Sequence, residues 1–331
     1  MPDVHALPKA ELHIHVEGSL EPELVFSLAR RNGVQLPWAS VEQLQAEKEF
    51  TDLQSFLDLY YSCMSVLRTV RDFRDLAHDY FRRAYAQGVH HAELFFDPQA
   101  HTTRGVLVDD VIDGLLEGIA DAEEELGVSG GLILCILRDR PVEEALDTLE
   151  SVRHRADELI GIGLDSAELG HPPALFAEVY ERAAAMGLHL VAHAGEEGPA
   201  DYVRQALDVL HVERIDHGVR SMDDPQLVKR LAEERIPLTV CPLSNKRLRV
   251  TPDLAEHPLK RMLDAGIVAT VNSDDPAYFG GYAGDNFAAI RDALALTTPQ
   301  LRLLAENSVL ASFAGQRRKS ALLAQIAAWG R

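Results

Sequence analysis

Two histidines separated by one residue, His13-Ile14-His15, stand near the start of this chain. On a β-strand residues i and i+2 face the same side, so both imidazoles can grip one metal ion together. Three later clusters carry what such a site needs: His193-Ala194-Gly195-Glu196, Ile215-Asp216-His217-Gly218 and Asn272-Ser273-Asp274-Asp275-Pro276. His193 and Asp274, added to His13 and His15, make a nitrogen-and-oxygen donor set suited to zinc. Such an ion lowers the pKa of a bound water from ~15.7 toward roughly 7, which gives a nucleophile at neutral pH. Glu196 follows His193 closely enough to stand beside the site without being a ligand. A buried carboxyl there has its pKa raised and suits proton donation. His217 can accept from or orient the water, and its positive charge would help stabilise the transition state. Asp275, next to Asp274, can hydrogen-bond a ring nitrogen of a substrate.

These groups need a scaffold that brings distant segments to one rim. Short runs rich in Val, Ile and Leu at 10–16, 92–96, 132–137, 160–164, 188–192, 212–215, 236–240 and 267–271 read as strands. Several are apolar nearly throughout, as strands of a parallel sheet covered on both faces tend to be. Helical patterns lie between them, such as 173–186 and 201–210, with Gly187 a helix stop. The alternation predicts an α/β fold, a (β/α)₈ TIM barrel, in one domain spanning 1–331. Catalytic groups in such barrels come from the C-terminal ends of the strands, and every candidate falls at one. Residues 17–91 separate the first run from the second, far more than one crossover helix requires. They read as helices that include 21–32, 53–68 and 73–87, so an insertion of about 18–88 is expected to form a helical lid over the mouth. The tail at 299–329 reads as closing helices. Barrels of this type sometimes hold two metals bridged by a modified lysine after strand 4; here that strand runs into Gly163-Leu164-Asp165-Ser166. One zinc ion per chain is therefore expected.

The 331 residues carry 32 Lys+Arg against 52 Asp+Glu, a net charge of −20 with no basic stripe. Nucleic acid and anionic membranes are poor partners for that surface. Cys63, Cys135 and Cys241 are odd in number and at no framework spacing, which points to a reducing compartment. Met1-Pro2-Asp3-Val4-His5 shows no basic patch followed by an apolar run, and no stretch approaches the ~20 apolar residues of a membrane span. A cytoplasmic enzyme acting on a small molecule is the expectation, with oligomeric state left open.

Each side chain also has a bland reading. Glu196 could cap the helix after strand 5, His217 could be a satisfied core histidine, and Asp275 could be a turn residue before Pro276. Phe56, Leu57 and Tyr60 have lid spacing, yet an ordinary helix core is the preferred reading. Cys241 reads as a small buried residue and not a ligand. The His-x-Glu and Pro-Cys-x-x-Cys arrangement of the zinc cytidine deaminases is absent.

In combination, His13-Ile-His15-Val-Glu17-Gly18, His193-Ala-Gly-Glu196, Arg214-Ile-Asp-His217-Gly218, Cys241-Pro-Leu-Ser-Asn245 and Ser273-Asp-Asp275-Pro276 resemble the adenosine/adenine deaminase family, in order along the chain. The resemblance implies hydrolysis of the exocyclic amine of a 6-aminopurine. It implies zinc on His13, His15, His193 and Asp274, protonation of purine N1 by Glu196, a water positioned by His217, and Asp275 at N7. Nucleoside deaminases of the family usually carry Asp where this chain has Glu17, and a glycine where it has Glu168. A larger acid in place of that glycine would occupy part of the ribose space and accept a hydrogen bond from the ring N–H of a free base. With Phe95-Phe96-Asp97-Pro98-Gln99 and Gly170-His171-Pro172-Pro173, this resembles the adenine deaminase branch, implying adenine + water → hypoxanthine + ammonia. The alternatives are adenosine, an N6-substituted purine, or a non-catalytic zinc-binding barrel.

Overall fold

Every residue from Lys9 to His15 is buried, the two histidines included, so the first strand has no solvent face. That is the mark of a parallel sheet covered on both sides. In a computed structural model describing residues 2–50 and 53–330, eight such strands follow one another in space in sequence order. They are β1 (Lys9–His15), β2 (Val89–Phe96), β3 (Ser129–Leu137), β4 (Gly161–Asp165), β5 (His189–Ala194), β6 (Arg214–His217), β7 (Pro237–Val240) and β8 (Val268–Val271). Each pairs in parallel with the next. With helices in the connections, this is the (β/α)₈ barrel expected from the sequence.

The ring closes between β8 and β1 through the residues that carry chemistry. Asp274 N donates to His13 O at 3.1 Å, and His15 N donates to Asp274 O at 3.0 Å. Leu12 N donates to Asn272 Oδ1 at 2.9 Å, and Ser273 N to Glu11 Oε1 at 2.9 Å. Side chains thus replace much of the ladder at this seam, and closure fixes Asp274 against the two histidines.

Three observed strands, β4, β5 and β6, run further into their polar ends than the apolar runs suggested. The sixth was expected at 212–215 and lies at Arg214–His217, because Val191, Ala192, His193 and Ala194 of β5 pair with it through His217. The polar character of Asp216 and His217 comes from the site, while their backbone stays in the ladder. Inside the barrel Arg214 Nη1 donates to Glu93 Oε2 at 2.6 Å and Nη2 to Leu12 O at 3.1 Å. Burial would raise Glu93, but Arg214 and His91 hold it down to about 2.

Between β1 and β2 lie α1 (Pro22–Asn32), α2 (Val41–Ala46), α3 (Leu53–Met64) and α4 (Val70–Ala86). The inserted stretch includes Thr51 and Asp52, which lie outside the described residues. The helix expected over 53–68 ends at Met64, because Thr69 and Asp72 form a capping box that starts α4. Asp72 also accepts from Asn32 Nδ2 at 2.8 Å, which ties the end of α1 to that cap.

Candidate metal centre and active site

Several strand ends turn sharply into the barrel mouth. Ser166 (φ 68°), Gly195 (72°), His217 (61°), Gly218 (70°) and Asp274 (64°) all adopt the left-handed conformation. For a residue with a side chain this costs on the order of 1–3 kcal/mol, and such strain gathers where geometry serves function. At His217 and Asp274 the turn leaves the side chains facing one point. His217 Nε2 lies 3.7 Å from Asp274 Oδ2.

One ligand atom each from His13, His15, His193 and Asp274 falls within 4.8 Å of the others, all four residues buried. His13 Nε2 makes no hydrogen bond and lies 3.2 Å from Asp274 Oδ1. His15 Nε2 and His193 Nε2 are 3.2 Å apart. The far nitrogens of these two rings face carboxylates, His15 Nδ1 to Asp165 Oδ2 at 3.5 Å and His193 Nδ1 to Asp216 Oδ2 at 3.8 Å. With the proton of each ring on the Nδ1 that faces a carboxylate, both Nε2 lone pairs point to one place, an arrangement a cation would satisfy. Burial lowers His15, and burial with the His13, His217 and His15 rings pushes His193 well below the usual range, so both are neutral and ready to ligate. Burial alone would raise Asp274, yet His13, His217 and His15 hold it well below the usual carboxylate range. The donors fit a divalent cation with nitrogen preference.

Beneath the donors lies a layer that the motifs did not assign. Thr239 Oγ1 donates to Asp216 Oδ1 at 2.7 Å and sits 2.9 Å from His13 Nδ1. Asp216 therefore orients two rings at once, directly and through Thr239. Its place in Ile215-Asp216-His217 was the only signal in the sequence. Cys241 Sγ donates to Thr239 O at 3.6 Å, although it falls in a second buried cluster with His13, His217 and Asp274.

A cavity opens above the donors. His15, His193, His217, Asp274, Asp275 and Glu196 form its floor and wall, and Phe56, Leu57, Tyr60 and Tyr61 of α3 cover it with Phe279 and Leu248. The α3 side chains thus face the site, where the sequence favoured an ordinary core. Glu196 Oε2 is 3.5 Å from His217 Nε2, and its Oε1 is buried without a hydrogen bond. Burial and then the Asp274 charge push Glu196 well above the usual range, so it holds a proton. It does not cap the next helix, whose N-cap is Pro199. Burial drives His217 down to about 3, so it starts as a neutral acceptor that can take a proton from the water. Burial and the Asp274 charge likewise raise Asp275, which keeps a proton to donate to a ring nitrogen. Gly18 is required here: a Cβ would stand 2.0 Å from Asp275 Oδ1.

The two acids read as base-selecting residues sit elsewhere. Glu168 is buried, and its carboxylate accepts from four backbone amides, Gly195 N at 2.6 Å, Glu196 N at 3.0 Å, Glu197 N at 2.9 Å and Gly198 N at 2.8 Å. It braces the turn that presents Glu196, and does not line the cavity. Glu17 Oε1 accepts from His101 Nε2 at 2.8 Å and Asp97 N at 3.2 Å, and burial raises Glu17 to about 7. Neither acid lines the cavity.

Residues 8–329 match the family described as adenosine deaminase. The chain belongs to the adenosine deaminase family. Among its relatives, an adenine deaminase of Streptomyces coelicolor is 64% identical over 307 residues, 93% of this chain and 90% of that one. The crystal structure of adenine deaminase from Arthrobacter aurescens matches with a TM-score of 0.96 at 53% identity, covering 98% of this chain and 99% of the other. An amidohydrolase structure from Burkholderia ambifaria with bound zinc matches with a TM-score of 0.90 at 32% identity, covering 98% and 91%. Family membership agrees with the motif resemblance, and the match spans all the strand ends described above.

Bracing by Glu168 has a measurable consequence. Glu168→Gln puts an amide N–H₂ among four N–H donors, so the turn carrying Glu196 loosens. Bonds to a charged group are worth about 1.5–3 kcal/mol each. The expected result is a fall in kcat of about tenfold or more with bound metal unchanged, read by steady-state kinetics beside elemental analysis. An unchanged kcat would assign Glu168 to stability alone.

Proposed function

We propose that this chain is an adenine deaminase, converting adenine and water to hypoxanthine and ammonia, with one zinc ion per chain held by His13, His15, His193 and Asp274. The observation that carries the reading is a buried carboxyl, Glu196, with an unpartnered Oε1 beside a buried His/Asp donor set, in a chain 64% identical to a named adenine deaminase over 93% of its length. When bound, the zinc supplies a strong nucleophile from water at neutral pH. The chain's residues do the rest. Glu196 donates a proton to N1 of the purine, which makes C6 electrophilic. His217 Nε2 and Asp274 Oδ2, 3.7 Å apart, face the same point and hold the attacking water, His217 taking up its proton. Asp275 donates to N7, so the ring is fixed on both flanks of C6. The aromatic cover from α3 excludes bulk water and stacks against the purine face. Ammonia leaves once the exocyclic nitrogen is protonated.

Cys63, Cys135 and Cys241 are buried free thiols, which suits the cytoplasmic setting of purine salvage. Among the described residues no helix is long and apolar enough to cross a membrane.

The test is direct. Deamination shifts the ultraviolet spectrum of the purine, so adenine, adenosine and an N6-methylated purine can be compared on one preparation. A site built to bind a ring N–H rejects analogues lacking it by as much as on the order of 10⁴. The expected result is adenine turned over with kcat/KM at least about 100-fold above adenosine. Faster turnover of adenosine or of the N6-methylated purine would move the chain to another branch. No turnover of any of them by zinc-loaded protein would leave a non-catalytic barrel.

A further inference from the structure

We infer that Asp97 selects the free base, its carboxylate accepting the N–H that adenine carries at N9 and that a nucleoside has replaced by a sugar. The inference rests on the reading as an adenine deaminase and names the residue that discriminates. Asp97 follows the last residue of β2 and is 2% exposed, yet it lines the cavity. Its Oδ1 is buried and receives no hydrogen bond from the protein. The backbone behind it is fixed: Asp97 N donates to Glu17 Oε1 at 3.2 Å, and Pro98 opens the short helix Pro98–Thr102. A buried acceptor without a donor costs about 1–3 kcal/mol, more when charged. A ligand N–H would recover that cost.

Purine geometry decides where such an N–H falls. With C6 at the reacting point, N1 at Glu196 and N7 at Asp275, the N3–N9 edge points away from the metal donors. Asp97, Asp165, Ser166, Tyr60 and Tyr61 are the polar side chains that line the rest of the cavity. Asp165 Oδ2 faces the ring of the ligand His15 at 3.5 Å from Nδ1, although its Oδ1 also makes no hydrogen bond, and the others offer hydroxyls. Of the two carboxyls, Asp97 is the one not held against a metal ligand's ring nitrogen. A carboxyl oxygen accepts in either protonation state, and a hydrogen bond to its charged form is about twice as strong as a neutral one. The role that the sequence assigned to Glu168 falls to Asp97, since four backbone amides occupy Glu168.

The probe is 9-methyladenine, which lacks the N–H and adds only a methyl group. Steady-state kcat/KM is measured for adenine and 9-methyladenine with the wild type, Asp97→Asn and Asp97→Ala, each checked for zinc content. The wild type should prefer adenine by on the order of 10³ or more. Asp97→Ala should lower adenine turnover about 100-fold and shrink the preference at least tenfold. Asp97→Asn keeps the shape with a weaker acceptor and should fall between, which separates hydrogen bonding from room. A proportional loss on both substrates, or a preference left unchanged, would overturn the inference. Should a variant misfold, calorimetric binding of hypoxanthine and 9-methylhypoxanthine to the wild type decides: equal affinity would overturn it. Failure of the wild type to deaminate adenine would instead overturn the functional reading, before any variant is made.

Discussion

Asp274→Ala is expected to strip the metal and abolish deamination. The carboxylate lies 3.2 Å from His13 Nε2 and 3.5 Å from His15 Nε2, and its backbone closes the barrel seam through His13 O and His15 N. Removing it takes the anionic donor from the set and leaves neutral imidazoles, whose hold on a cation is weaker. It also removes the acceptor facing His217 at 3.7 Å. Lewis-acid stabilisation is worth several kcal/mol, so kcat should fall by on the order of 10³–10⁴ or more. Elemental analysis should find zinc near one per chain in the wild type and well below that in the variant after dialysis. Left-handed backbone at Asp274 favours small or polar residues, so Asp274→Asn is the companion variant that keeps the turn. Full zinc content with full activity in both variants would remove Asp274 from the site.

The barrel was legible because its strands are buried on both faces and so appear as unbroken apolar runs. The donor set was legible because His13 and His15 obey the two-residue period of a strand, and because each later donor sits where an apolar run stops. What could not be read was contact across the barrel. Thr239 lies 226 positions from His13, and nothing local in Thr239-Val240-Cys241 marks it as the partner of that ring. Asp216 is adjacent to an assigned histidine, yet its sharing between His13 and His193 is a property of the closed ring.

Helical period shows that Phe56 and Tyr60 share a face; it does not say whether that face meets a core or a cavity. The structure turns it over the site. Glu168 failed for a related reason. An acid after strand 4 is visible in the sequence, while the four amides that occupy it belong to the turn after β5 and converge only because that turn is left-handed at Gly195. The same turn holds Glu196, so one carboxylate organises the presentation of another. Buried polar groups of this kind are costly unless satisfied, and the protein satisfies most of them with one another. Among the buried atoms left without a partner, Glu196 Oε1, Asp275 Oδ1 and Asp97 Oδ1 line the cavity, where a ligand can complete the network.

Glu196→Gln tests the proton rather than the pocket. Glutamine preserves the shape, and Glu196 N would still donate to Glu168 Oε2 at 3.0 Å, so the turn should hold. What disappears is the acidic proton that burial and the Asp274 charge keep on the carboxyl. An amide N–H can still hydrogen-bond N1, so ground-state binding should survive, while proton transfer to N1 cannot occur. General-acid transfer is worth about 10²–10⁴. The expected result is a fall in kcat of about 10³ with kcat/KM falling in step and KM little changed, the pattern of an interaction made only in the transition state. Zinc content should match the wild type, which separates this loss from that of Asp274→Ala. A rise in KM with kcat preserved would make Glu196 a binding residue only. Activity above about a tenth of the wild type would mean that N1 gains its proton from elsewhere, with His217, 3.5 Å from Glu196 Oε2, the next group to substitute.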